Sequence, residues 1–135
     1  MSDRIINAAA VLLGLFLVAN GAWMTLFPAA WYARVPGVTE TGPFNNHFVV
    51  DIGLLYGTLG MAWITGVFWH RGRPGLWLVS AVWLTCHALF HLSHVIPEGN
   101  IMLMLTRDFI GVTLPALLGV LLVAVAPRER TAIDQ

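Results

Sequence analysis

His47 and Asp51, then His87, His91 and His94, then Asp108 interrupt stretches of sequence that are otherwise almost wholly apolar. Imidazole nitrogen and carboxylate oxygen are ligands for zinc, iron, manganese and copper(II). In membrane proteins the same groups also relay protons. Their spacing is ordered. His47 and Asp51 stand at i and i+4, on one stripe of a helix, and His87, His91 and His94 follow i, i+4, i+7 within a narrow arc of another. The His87/His91 pair can offer two nitrogens to one ion, and Asp51 and Asp108 supply charge that a divalent cation offsets in low dielectric. We expect a centre of one or two metal ions with Asp51, His87, His91 and Asp108 as inner ligands. His47 and His94 would complete the shell, bind a second ion or move protons. Asn20 and Arg107 are expected next to the ligands rather than on the metal.

The elements that must position these residues follow from composition. Of 135 residues 58% are hydrophobic and only 10% charged, and the mean hydropathy is +0.77. A soluble domain has about a quarter of its residues charged. The composition therefore predicts an all-α membrane protein of one domain. A helix needs about 20 mostly apolar residues to cross a bilayer. Four stretches qualify, at 5–27, 46–69, 75–96 and 101–126. Proline and glycine mark the breaks between them: Pro28, Pro36, Gly37, Gly42 and Pro43, then Gly72 to Gly75, then Pro97 to Gly99. The apolar N-terminal stretch lacks a small-residue cleavage site and reads as a retained helix. A net charge of zero argues against nucleic acid as a partner. Cys86 is the single cysteine, which excludes an intramolecular disulfide.

All seven basic residues are arginines. Arg4, Arg71, Arg73, Arg128 and Arg130 flank the N-terminus, the second loop and the C-terminus, whereas Arg34 alone lies in the first loop. The positive-inside rule then predicts both termini in the cytoplasm and the first and third loops outside, on the periplasmic side if the membrane is a bacterial inner membrane. The first loop is too long for a tight turn. A short interfacial helix around Trp31 and Tyr32 is expected to cover the outer mouth of the bundle, with an unstructured connection as the competing expectation.

Depth can be counted from the loops at about 1.5 Å per residue. On that count Asp51, His91, Asp108 and Asn20 share a layer roughly 10 Å below the outer ends of the helices, with His87 beneath and His47 and His94 above. Gly53, Gly57 and Gly60 form a small-residue stripe on the side of the second helix opposite Asp51, suited to close helix packing. The donor types are similar to those of the histidine boxes of membrane di-metal oxygenases and desaturases, in ligand type only; histidine number and spacing differ.

The leading expectation is a membrane metalloenzyme, an oxidoreductase or a hydrolase, acting on a small or lipophilic substrate. One alternative is a haem b electron carrier with His47 and His91 or His94 as axial ligands. Another is a proton or metal-ion transporter, or a non-catalytic subunit of a membrane complex, and a homo-oligomer is compatible with each. Against all of these stands a purely structural network, in which Arg107 bridges to Asp51 or Asp108 and the histidines hydrogen-bond into it. Met102, Met104 and Cys86 are expected to be packing residues, and Pro115 is expected to disturb the fourth helix.

Overall fold

The computed structural model of the chain describes residues 2–98, 102 and 104–126. Its elements are α1 (Asp3–Leu26), α2 (Pro28–Arg34), a 3₁₀ turn (Val38–Thr41), α3 (Asn46–Phe68), α4 (Arg73–Glu98), a π-helix (Met104–Thr113) and α5 (Leu114–Val125). There is no strand among the described residues. Four stretches are long and apolar enough to cross a membrane: Asp3–Leu26, Asn46–Phe68, Arg73–His94 and Arg107–Val125. They match the sequence expectation with ends shifted by a few residues, except that the last is not one regular helix. Of the expected third loop, Pro97 and Glu98 instead continue α4, while Gly99 and Asn100, like Pro127, Arg128 and Arg130, lie outside the described residues.

Local chemistry sets the helix ends. Phe27, at φ −137° and ψ 55°, ends α1, and Pro28 stands at the first position of α2. Proline disfavours helical backbone in the residue before it and is preorganised to begin the next helix. Asn45 caps α3 by accepting a hydrogen bond from Phe48 N at 3.1 Å. The expected short helix around Trp31 and Tyr32 is therefore present as α2.

α1 and α3 pack by backbone contact. Gly14 and Gly21 face Gly53, Gly57 and Gly60, and a β-carbon on Gly21 would lie 2.6 Å from Gly57 N. The glycine stripe read from the sequence is used here, inside the chain. Toward the far end of α3, Trp63 and Trp77 are fully buried and their rings lie 5.1 Å apart. Gly66 has no β-carbon to obstruct the indole of Trp77, which donates from Nε1 to Trp63 O at 3.1 Å.

Arg73, the first residue of α4, is buried rather than simply marking a membrane face. Its Nε donates to Gly66 O at 2.8 Å, and one terminal nitrogen donates to Val67 O at 3.2 Å and Asn7 Oδ1 at 3.3 Å. The last carbonyls of a helix have no intrahelical partner and carry partial negative charge. A guanidinium satisfies them, and its Cζ lies over the Trp77 ring, 4.9 Å from the centroid. Arg73→Ala is expected to destabilise the bundle by about 3 kcal/mol, since hydrogen bonds from a charged donor are worth about 1.5–3 kcal/mol each and do not add fully. Thermal unfolding in detergent micelles measures this, and a change below about 1 kcal/mol would show that water replaces the guanidinium there.

The fourth stretch begins as a π-helix and becomes α-helical at Leu114, immediately before Pro115. Proline has no N–H to give to the preceding turn, so the change of helix type takes the place of the expected disturbance. π-Helical turns are rare and are frequently found at functional sites. Two packing expectations do not hold: Met102 is 69% exposed and Cys86 is exposed.

Candidate site at the α2 end of the bundle

The wide turns of the π-helix carry Arg107 and Asp108 against the late part of α4. Asp108 is buried, its side chain 6% exposed, and its Oδ2 lies 3.3 Å from His91 Nδ1. Arg107 grips the same carboxylate twice, Nε to Oδ1 at 3.0 Å and a terminal nitrogen to Oδ2 at 3.3 Å. The other terminal nitrogen reaches Glu40 Oε2 at 3.1 Å, in the 3₁₀ turn. The first loop is thereby tied to the site. Gly37, at φ +80°, lies against the Arg107 side chain where a β-carbon would collide with it. Both the left-handed backbone and the contact call for glycine there.

Beneath this network lies an aromatic stack. His87 is 4.6 Å from His91 by ring centroids and stacks on Trp83 at 4.9 Å with an interplanar angle of 11°. Tyr56 of α3 meets Trp83 edge-on at 5.2 Å. These rings fix the His87 plane from two sides and form an apolar floor under the charged groups. Beside the histidine stripe, an open groove of about 400 Å³ runs between α4 and the last helix, lined by Ala88, Leu92, Thr113, Ala116 and Leu117 among others.

Of the residues expected at the centre, the structure thus joins His87, His91 and Asp108, with Arg107 beside them. The remaining four have other partners. Asp51 pairs with His47 at 3.3 Å, but the side chains are 56% and 90% exposed. The pair lies on the face of α3 that is turned away from its buried residues Val49, Gly53 and Tyr56. His94 Nδ1 is 2.9 Å from Phe90 O, within its own helix, and is exposed. Asn20 accepts from Trp31 Nε1 at 3.0 Å and so anchors α2 to α1. No group of three or more metal-ligating side chains converges among the described residues.

Sequence reasoning missed Glu40, Gly37, Trp83 and Tyr56. Glu40 carried a signal, because it is the single acidic residue of the first loop and Arg107 needs more than one anion to use all its donors. Trp83 also carried one, at i−4 to His87 on the same stripe. Taken together, the chain is an all-helical bundle of four apolar helices with an Arg–Asp–His cluster at one end. Comparison with protein-family models, curated proteins and solved structures finds no match.

Proposed function

We propose that the chain is an integral membrane protein whose chemistry is an acid–base centre at His91, set by Asp108. The observation that carries this is the 3.3 Å contact of His91 Nδ1 with a buried carboxylate. A carboxylate on one imidazole nitrogen fixes the tautomer, leaving the other nitrogen with a bare lone pair. The apolar groove between α4 and the last helix suits a small or lipophilic molecule beside the histidine stripe. The arginine pattern supports a reading with both termini in the cytoplasm and the site toward the outer side, the periplasm if the membrane is a bacterial inner membrane.

A second reading is favoured by the closeness of the two imidazole rings. His87 and His91 can supply two nitrogens to a zinc, iron, copper or manganese ion, with Asp108 orienting His91 instead of binding the metal. Catalytic metal centres commonly take three protein ligands, so this reading needs a further donor from a substrate or water. His47, Asp51 and His94 are not part of it.

Elemental analysis and an absorption spectrum of the purified protein separate the acid–base centre, the metal and a haem in one preparation. The acid–base proposal is then tested by ¹⁵N NMR of histidine-labelled protein, with the His91 signal assigned through His91→Gln. His91 is expected to be protonated at Nδ1 and bare at Nε2, and Asp108→Asn, which keeps an accepting oxygen but loses the charge, is expected to weaken that preference. A bare Nδ1 in the unsubstituted protein would overturn the proposal, and a stoichiometric bound metal would replace it with the second reading.

A further inference from the structure

The first loop divides into an anchored base and a weakly held tip. The base is α2. Trp31 packs against the hydrophobic core, and its Nε1 donates to Asn20 Oδ1 at 3.0 Å. Tyr32 Oη donates to Gly42 O, and its ring lies 5.3 Å from that of Phe44. The tip is the 3₁₀ turn, Val38–Thr41, and it buries no residue. Its hydrogen bonds are local: Glu40 N donates to Gly37 O at 3.2 Å, and Thr41 Oγ1 to Val38 O at 2.7 Å. Gly37 and Gly42 bracket the turn at φ +80° and +138°, and no other described residue has a positive φ. At Gly42 a β-carbon would meet nothing within 4 Å. The tip meets the fourth apolar stretch at Arg107, through the Glu40 carboxylate at 3.1 Å and the contact of Gly37.

The two carboxylates on Arg107 are held unequally. The Asp108 side chain is 6% exposed and accepts two bonds from the guanidinium. The Glu40 side chain is 66% exposed and accepts one. Water and salt compete with an exposed ion pair, whereas breaking a buried one is costly. In the series Glu40–Arg107–Asp108–His91 the first link is therefore the weak one. Segments with few buried apolar contacts are also the ones that open locally, far below the cost of global unfolding. The tip meets that description; α2 and Asp108 do not.

We propose that residues 37–41 form a gate over the Arg107–Asp108 pair, turning about Gly37 and Gly42 and latched by Glu40. In the closed state Gly37 lies on the Arg107 side chain. In the open state the tip lifts away and water reaches the guanidinium, which stays on Asp108. An exposed ion pair raises the closed population by about one- to fivefold, so the gate opens without unfolding and salt favours opening. The gate concerns the cover of the site, so it stands whether His91 is an acid–base group or a metal ligand.

The test uses the full chain in phosphatidylcholine liposomes. Cys86→Ser removes the native thiol, and spin labels are placed at Thr39→Cys in the tip and Ser93→Cys in α4, both exposed positions. Distance measurement is expected to give a shorter and a longer population. Glu40→Gln is expected to raise the ratio of longer to shorter about two- to fivefold. Added salt at about 0.5 M is expected to raise it where Glu40 is present and to leave Glu40→Gln unchanged. In the unlabelled chain, Arg107 is expected to react with a water-soluble phenylglyoxal about two- to fivefold faster, relative to the exposed Arg34, once Glu40 is replaced by glutamine. Because Glu40 is exposed, this substitution spares the fold. A single distance unchanged by Glu40→Gln, a salt response that persists without Glu40, or an unchanged relative reactivity of Arg107 would each overturn the proposal.

Discussion

Replacing Asp108 with alanine is expected to destabilise the protein by about 3–5 kcal/mol, the range for removing one partner of a buried ion pair. The Asp108 side chain is 6% exposed and receives Arg107 twice and His91 once. Truncation removes all three contacts and leaves two guanidinium donors directed at a place without a carboxylate. Asp108→Asn keeps the shape and an accepting oxygen but loses the charge, and its cost is expected to be about half as large. Glu40→Gln serves as the comparison. Glu40 holds the same guanidinium at 3.1 Å, but its side chain is 66% exposed, so water and salt replace it at a cost of about 0–1 kcal/mol. The ranking Asp108→Ala, then Asp108→Asn, then Glu40→Gln is read from unfolding midpoints in micelles. Equal effects for Asp108→Ala and Glu40→Gln would show that the buried carboxylate does not hold Arg107.

The same comparison shows what the sequence made legible. The apolar runs and their proline and glycine breaks carried the four long helices, because spanning length and backbone hydrogen bonding leave few other solutions. Depth was legible too. A constant rise per residue puts His91 and Asp108 in one layer, and they are in contact. Rotation of each helix about its axis was not. The i, i+4 spacing of His47 and Asp51 shows that they share a stripe but not which way it points. That direction is decided by α3 packing its glycines on α1, which turns the opposite stripe outward. The glycine stripe was visible, and so was its position opposite Asp51. What led the expectation inward was the rule that polar groups avoid lipid. The π-helix left no trace in the sequence pattern. It alters the angle between successive residues, so a count at regular α-helical spacing rotates Arg107 and Asp108 away from their actual positions.

Gly21→Ala is expected to destabilise the protein by about 2–3 kcal/mol, at the upper end of the cost of overpacking, although alanine is the better helix former by about 1 kcal/mol. The cause is what the new methyl group would meet. At Gly21 it would run into Gly53 O, Gly57 N at 2.6 Å and Gly57 Cα at 3.2 Å. These are backbone atoms, so no rotamer change can relieve the collision and α1 must move away from α3. Separation at that point also loosens the other close approaches along the interface, where Gly14 lies against Ile64 and Gly60 against Val18. Gly57→Ala makes the opposite prediction one residue across the same contact. A β-carbon there has nothing within 4 Å, so the helix-propensity gain stands alone and stability is expected to be unchanged or up to about 1 kcal/mol higher. The two substitutions add the same atom, in the same kind of helix, to glycines that touch each other. Composition, hydropathy and the small-residue pattern do not distinguish them; only the direction of the missing β-carbon does. If both variants unfold at the same midpoint, α1 and α3 do not meet through their backbones. The rotation that turns Asp51 outward would then lose its physical basis.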